Sequence, residues 1–232
     1  MSNAIFNKTK ALFWHYASAS PLKLPPKFTL PPLNDILRVT IGGITRTVYQ
    51  PHYIGFENIP ESGGVILVSN HVSYMDGPII DAGCKRPVRY VIDEAIYHTP
   101  GVHWLMSRYK AIPISPNRKS VEAAFEQISQ LLRDGEVVCI FPEGFLTFTG
   151  GLGRFRPGIE WMIKRDAVPV IPIALNGLWG SVFSRQYRGT IWRFIPRCWL
   201  RGKVVVKCGP AVDPALAKVN ILQDIVMKLK YS

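Results

Sequence analysis

Six short apolar runs, at 64–69, 87–92, 110–114, 136–141, 168–175 and 203–208, recur along this chain with helical stretches between them. No other feature restricts the fold as much. Runs such as Val65-Ile66-Leu67-Val68 and Val137-Val138-Cys139-Ile140 read as buried strands. The clearest intervening helix is 118–133, where Val121, Ala124, Phe125, Ile128, Leu131 and Leu132 share one face ahead of the terminator Gly135. Strand and helix alternating in this way predict an α/β fold, with a mostly parallel central sheet flanked by helices.

Leu33 to Tyr49 has helical spacing weakened by Gly42-Gly43, and residues 1–32 combine Phe6, Phe13, Trp14 and Tyr16 with Lys8, Lys10, Lys23 and Lys27 before a run of prolines. The division drawn from sequence is therefore 1–50, a basic, aromatic and helical N-terminal appendage, and 51–232, the main domain. Such an appendage either lies in a membrane interface, with lysines toward anionic lipid, or packs on the domain as a tail or helix. No run of about 18 apolar residues exists to span a bilayer, and the first residues lack the pattern of a secretory signal. Cys84, Cys139, Cys198 and Cys208 are far apart and form no zinc-type cluster, which fits a reduced compartment and predicts no metal site.

Chemistry is expected just past the first buried strand. There Ser69-Asn70-His71-Val72-Ser73-Tyr74-Met75-Asp76 leads into Gly77-Pro78, a helix start. A histidine needs a carboxylate to fix its tautomer and raise its basicity before it can take a proton from an alcohol. Five residues turn an α-helix by about 500°, leaving the two side chains roughly 140° apart, and in a strand an odd separation puts them on opposite faces. His71 and Asp76 meet only if the backbone turns between them, as in a strand-to-helix loop. The plainer alternative is a helix-capping aspartate beside an ordinary loop histidine. Ser73 has the chemistry of a hydrolase nucleophile, but no Gly-x-Ser-x-Gly elbow surrounds it.

The fourth run ends in Phe141-Pro142-Glu143-Gly144, a carboxylate and a glycine at a strand's end, suited to lining a pocket with open backbone amides. His71 with Asp76, then this tetrapeptide, then Val168-Pro169-Val170-Ile171-Pro172-Ile173, resemble in order and spacing the glycerolipid acyltransferases of phospholipid biosynthesis. The resemblance covers roughly residues 53–208. It implies transfer of a fatty acyl group from acyl-CoA or acyl-carrier protein, as co-substrate, to a free hydroxyl of a lysophospholipid or glycerol phosphate. In that reading His71 is the general base, Asp76 orients it, and Glu143 and Gly144 help form the acceptor pocket. No metal or redox cofactor is implied, since a thioester is already activated and the protein need only position, deprotonate and stabilise an oxyanion.

Two departures bear on the acceptor. Many family members carry an acidic residue and an arginine after the third strand, where this chain has Ser115-Pro116; Thr-Arg often follows the Glu-Gly pair, where it has Phe145-Leu146. A phosphate monoester carries close to two charges and a diester one, so these losses favour a lysophosphodiester. The Ser115-Pro116 variant also resembles the acyltransferase part of bacterial 2-acylglycerophosphoethanolamine acyltransferases. Arg118, Arg154 and Arg156 remain, as phosphate contacts or as solvated surface charges.

The net charge of +12 points to an anionic partner. Between 179 and 207, Arg185, Arg188, Arg193, Arg197, Arg201, Lys203 and Lys207 interleave with Trp179, Phe183, Tyr187, Trp192, Phe194 and Trp199, and no acidic residue intervenes. This face is expected to meet a membrane surface, with an acidic carrier protein as another occupant and nucleic acid the least expected. The resemblance thus implies an enzyme peripheral to the cytoplasmic face of the inner membrane. Two other classes stay open: a non-catalytic lipid- or nucleic-acid-binding module, and a thioesterase or lipase with water as acceptor.

Overall fold

The computed structural model describes residues 33–181, 183–185 and 203–232. All of these residues belong to one compact unit, Leu33–Ser232. Strands β1 (His52–Ile54), β2 (Val65–Ser69), β3 (Val88–Asp93), β4 (Ile112–Ile114), β5 (Val137–Ile140), β6 (Val170–Asn176) and β7 (Val205–Cys208) form one sheet in the order β1-β7-β6-β2-β5-β3-β4. Neighbours run parallel except β6 and β7. The six expected strands are present with ends within two residues of the runs. β1, whose three residues pair with β7 from His52 opposite Val205, carries no apolar run that announces it.

The helices are α1 (Leu33–Tyr49), α2 (Asp76–Gly83), α3 (Glu94–Tyr97), α4 (Val102–Arg108), α5 (Arg118–Arg133), α6 (Gly158–Arg165) and α7 (Val219–Tyr231). They cover both faces of the sheet, which is why the central strands β2, β5 and β6 are apolar on both faces up to their last residues, Ser69 of β2 and Asn176 of β6. Ile66 and Val68 of β2 pack with Ile128 and Leu132 of α5, Met162 and Ile163 of α6, and Leu222 and Val226 of α7. Val65 and Leu67 turn the other way, onto Ile79 and Ile80 of α2. Each such side chain stabilises the fold by about 1.5–3 kcal/mol.

The glycine pair that weakens α1 on paper does not break it. Gly42 faces α2, where an added Cβ would lie 3.8 Å from that of Ala82, while Gly43 faces open space. Arg38 of α1 then reaches the buried Asp81 of α2 at 3.0 and 3.1 Å, and donates to the Cys84 and Arg86 carbonyls at 2.8 and 3.0 Å. Burial pushes the Asp81 carboxyl up, and the Arg38 charge opposes the shift.

Because β6, β2, β5, β3 and β4 run parallel, their following loops gather at one edge of the sheet. β2 lies between β5 and β6, so His71 after β2 and Glu143 after β5 are brought together although 72 positions separate them.

Candidate active site

The backbone does turn between His71 and Asp76. Asp76 opens α2, and its Oδ2 accepts from His71 Nδ1 at 2.8 Å, Val72 N at 2.6 Å and Ser73 N at 3.0 Å. Three donors on one oxygen fold the loop around the carboxylate. Asp76 is thus both a cap for the turn and a partner for the imidazole, so the two sequence readings are not exclusive. The Asp76 side chain is sealed while that of His71 is 20% exposed, and the imidazole lies flat on Phe141 at 4.1 Å and 15°. With Nδ1 donating to a carboxylate, Nε2 keeps its lone pair free.

Asn70 explains how β2 can stop so close to this turn. Its side-chain amide donates to Leu175 O at 3.0 Å and accepts from Leu175 N at 2.7 Å, continuing the β2–β6 ladder in place of backbone. Ser73, whose hydroxyl accepts from Met75 N at 3.2 Å, is fully buried. That placement leaves it unsuited to nucleophilic attack.

Glu143 is 1% exposed. Its Oε1 accepts from His71 N and its Oε2 from Gly153 N, each at 2.8 Å, so it clasps the histidine's own backbone to the loop after β5. A Cβ at residue 153 would fall 2.4 Å from Oε2, which is why only glycine lets the chain approach that closely. Burial pushes the Glu143 carboxyl up, and the two backbone amides and His71 draw it back. Gly144 has φ of 75°, and its amide is used within the turn, donating to Phe141 O at 3.0 Å.

The candidate arginines part company. Arg156 packs over Gly144, where an added Cβ would meet its Nε at 2.8 Å, and its guanidinium lies 5.5 Å from the Phe145 ring centroid. It therefore sits beside the Glu143 turn. Arg154 is exposed. Arg118, 91% exposed, pairs with Glu122 of its own helix at 2.7 Å. Ser115, Asn117 and Ser120 cap α5: Ser120 N donates to Asn117 Oδ1 at 2.8 Å and Ser115 N to Ser120 Oγ at 2.9 Å.

Around the histidine three loops present exposed rings, Tyr74 from the first, Phe145 and Phe148 from the second and Phe183 from the segment after β6. Arg185 covers Phe148 at 3.6 Å from its ring centroid, and Tyr74 N donates to Phe183 O at 3.3 Å. Most of the basic-aromatic stretch singled out in the sequence, Arg188, Arg193, Arg197 and Arg201 with Tyr187, Trp192, Phe194 and Trp199, lies outside the described residues, as do 1–32. Among the described residues no group of three metal-ligating side chains gathers, and no helix is long and apolar enough to cross a membrane.

Sequence reading missed Asn70 and Gly153. Both act through partners distant along the chain, Leu175 and Glu143, and nothing in their local sequence marks those partners.

An α/β sheet with a carboxylate-held histidine at its carboxyl edge narrows the class of protein, and the comparison with known families agrees. The chain belongs to the Acyltransferase family, whose model matches residues 50–176. A 1-acyl-sn-glycerol-3-phosphate acyltransferase of Pseudomonas aeruginosa is 32% identical over 156 residues, 64% of this chain and 59% of that protein. The chloroplastic 1-acyl-sn-glycerol-3-phosphate acyltransferase BAT2 of Brassica napus is 30% identical over 132 residues, 56% of this chain and 38% of that protein. The chain thus spans 59% and 38% of these two relatives' lengths. The crystal structure of the 1-acyl-sn-glycerophosphate acyltransferase PlsC from Thermotoga maritima shares the fold, with a TM-score of 0.68 over 96% of this chain and 86% of that one, at 21% identity.

Proposed function

We propose that this chain moves a fatty acyl group from an acyl thioester to a free hydroxyl of a lysophospholipid, with His71 as general base. The observation that carries the reading is the 2.8 Å bond from His71 Nδ1 to a sealed Asp76, which leaves the Nε2 lone pair of a partly exposed imidazole free to accept. The acceptor hydroxyl donates to Nε2, loses its proton there as its oxygen attacks the thioester carbonyl, and forms a tetrahedral oxyanion. Collapse expels the thiolate of coenzyme A or of an acyl carrier protein, which takes the proton back from the imidazolium. Asp76 stabilises that imidazolium, and Glu143 holds the His71 backbone in place. No covalent acyl-enzyme is needed.

Arg156, beside Gly144, is the arginine best placed for the acceptor's phosphate. One organised guanidinium suits the single charge of a phosphodiester, whereas the relatives' names point to a monoester. The exposed rings with Arg156 and Arg185 around the histidine support docking on an anionic lipid surface, peripherally on the cytoplasmic face of the inner membrane.

The test is an acyl-transfer panel crossing acyl-CoA and acyl-carrier-protein donors with lysophosphatidic acid, lysophosphatidylethanolamine, glycerol 3-phosphate and water. Acylated lysolipid is the expected product. Free fatty acid released without an acceptor would instead make the chain a thioesterase, and no turnover with retained liposome binding would make it a binding module.

A further inference from the structure

We infer that Ser181, on the turn after β6, is a positioning residue of the His71 site, its hydroxyl joined to Asp76 Oδ1 through one buried water. Among the described residues, three buried side-chain polar atoms lack a hydrogen-bond partner: Asp76 Oδ1, Ser181 Oγ and the Tyr109 hydroxyl. Asp76 is sealed and Ser181 is 3% exposed. The Asp76 carboxylate is loaded on one side alone, since Oδ2 takes three donors while Oδ1 takes none. A buried carboxylate oxygen and a buried hydroxyl are each costly to leave unpaired, and a hydroxyl can donate where a carboxylate can only accept.

Backbone geometry brings the two segments together. Ser73 and Ser184 form an antiparallel bridge, and Tyr74 N donates to Phe183 O at 3.3 Å. Counted outward from that bridge in the same register, Asp76 falls opposite Ser181. Each segment also closes a four-residue turn, Asp76 N donating to Ser73 O at 3.1 Å and Ser184 N to Ser181 O at 3.0 Å. Both residues are therefore folded back to within about 7 Å, Cα to Cα, of their bridge serine. Val72 and Met75 from one side and Leu178 and Trp179 from the other pack in the same apolar cluster. Two serine hydroxyls there are engaged: Ser73 Oγ accepts from Met75 N at 3.2 Å, and Ser184 Oγ accepts from Gly180 N at 3.0 Å and donates to Ser181 O at 2.8 Å. Of the three serines, Ser181 is the one with a hydroxyl left to offer. The two oxygens do not bond directly, and a water with these two partners spans the gap. Held at both oxygens, the carboxylate cannot swing about its Cβ–Cγ bond, and Oδ2 stays on His71 Nδ1.

This inference rests on His71 and Asp76 being the working pair, but its first readout needs no turnover. A crystal structure of the full chain, at a resolution that shows ordered water, is expected to place one water about 2.7–3.2 Å from both Asp76 Oδ1 and Ser181 Oγ. A separation too wide for one water, above about 6.5 Å, or another side chain seated on Oδ1, overturns the inference. In acyl transfer, Ser181→Ala lowers kcat about threefold with KM unchanged, and Ser181→Thr, which keeps the hydroxyl, recovers most of the loss. In an Asp76→Asn background Ser181→Ala costs nothing further, because the serine acts only through the carboxylate. An unchanged kcat in Ser181→Ala, or the same loss in both backgrounds, also overturns it. Should Ser181→Ala fold poorly, the wild-type crystal structure decides alone. Absence of acyl transfer by the wild type would sink the proposed function and leave that structure to decide this inference.

Discussion

The loop after β2 and the loop after β5 are neighbours on the sheet edge, yet they are built on opposite plans. The first is short and closes on one buried oxygen, Asp76 Oδ2, which accepts from a side chain and two backbone amides. The second is long and turns Phe145, Phe148 and Arg156 outward. They are stitched together twice at one residue, since His71 N donates to Glu143 Oε1 and its carbonyl accepts from Thr147 N, both at 2.8 Å. The contrast teaches where rigidity is needed. The histidine proposed as base is over-determined, while the rings and arginine proposed to meet a lipid sit on an open frame, with one inward carboxylate, Glu143, serving the rigid side.

If this division is right, substitutions in the first loop cost rate and those on the open face of the second cost binding. The largest effect is expected in His71→Ala, a fall in kcat of about 1000-fold, measured with a radiolabelled thioester and a lysolipid. Asp76→Asn comes next, at about 100-fold, because the amide no longer selects the tautomer that leaves Nε2 free. The Glu143→Gln variant sharpens the comparison: it lies in the second loop but is expected to act like a first-loop change, with about tenfold lower kcat and little change in KM. Its amide can accept only one of the two backbone N–H groups, so a chemical melt should show a loss of about 1–3 kcal/mol.

The pH dependence of that loss has a definite sign. Burial raises the Glu143 carboxyl above its ordinary 4.5 in the folded protein. The folded state then holds the proton more tightly than the unfolded one, so this group's stabilising contribution is complete below about pH 4.5 and fades as pH rises through the folded value. Wild type should therefore show its greatest advantage over Glu143→Gln at acid pH. The smallest effect is expected on the open face, where Phe148→Ala and Arg185→Ala should weaken binding to anionic vesicles by about threefold, less at high salt, with kcat nearly unchanged.

The fold was largely legible because covered parallel strands leave apolar runs that survive without any knowledge of partners. β1 was not, since three residues at a sheet edge carry no such run. Of the site, the turn that lets His71 reach Asp76 was signalled by the apolar run ending at Ser69 and by Gly77-Pro78 beyond it, since the spacing alone fitted a capping aspartate equally well. The clasp of Glu143 was not: a carboxylate beside a glycine signals a strand end, but which amides it accepts depends on β2 lying next to β5. Arg118 shows the same limit from the other side, since its nearness to α5's own Glu122 satisfies it locally.

That His71 and Asp76 work as one unit is best tested by a double-mutant cycle on kcat, comparing His71→Ala, Asp76→Asn and the two combined. The account predicts that adding Asp76→Asn to His71→Ala costs nothing further, because the aspartate acts only through the imidazole. Losses that multiply, or a His71→Ala protein that still turns over at the wild-type rate, would contradict it.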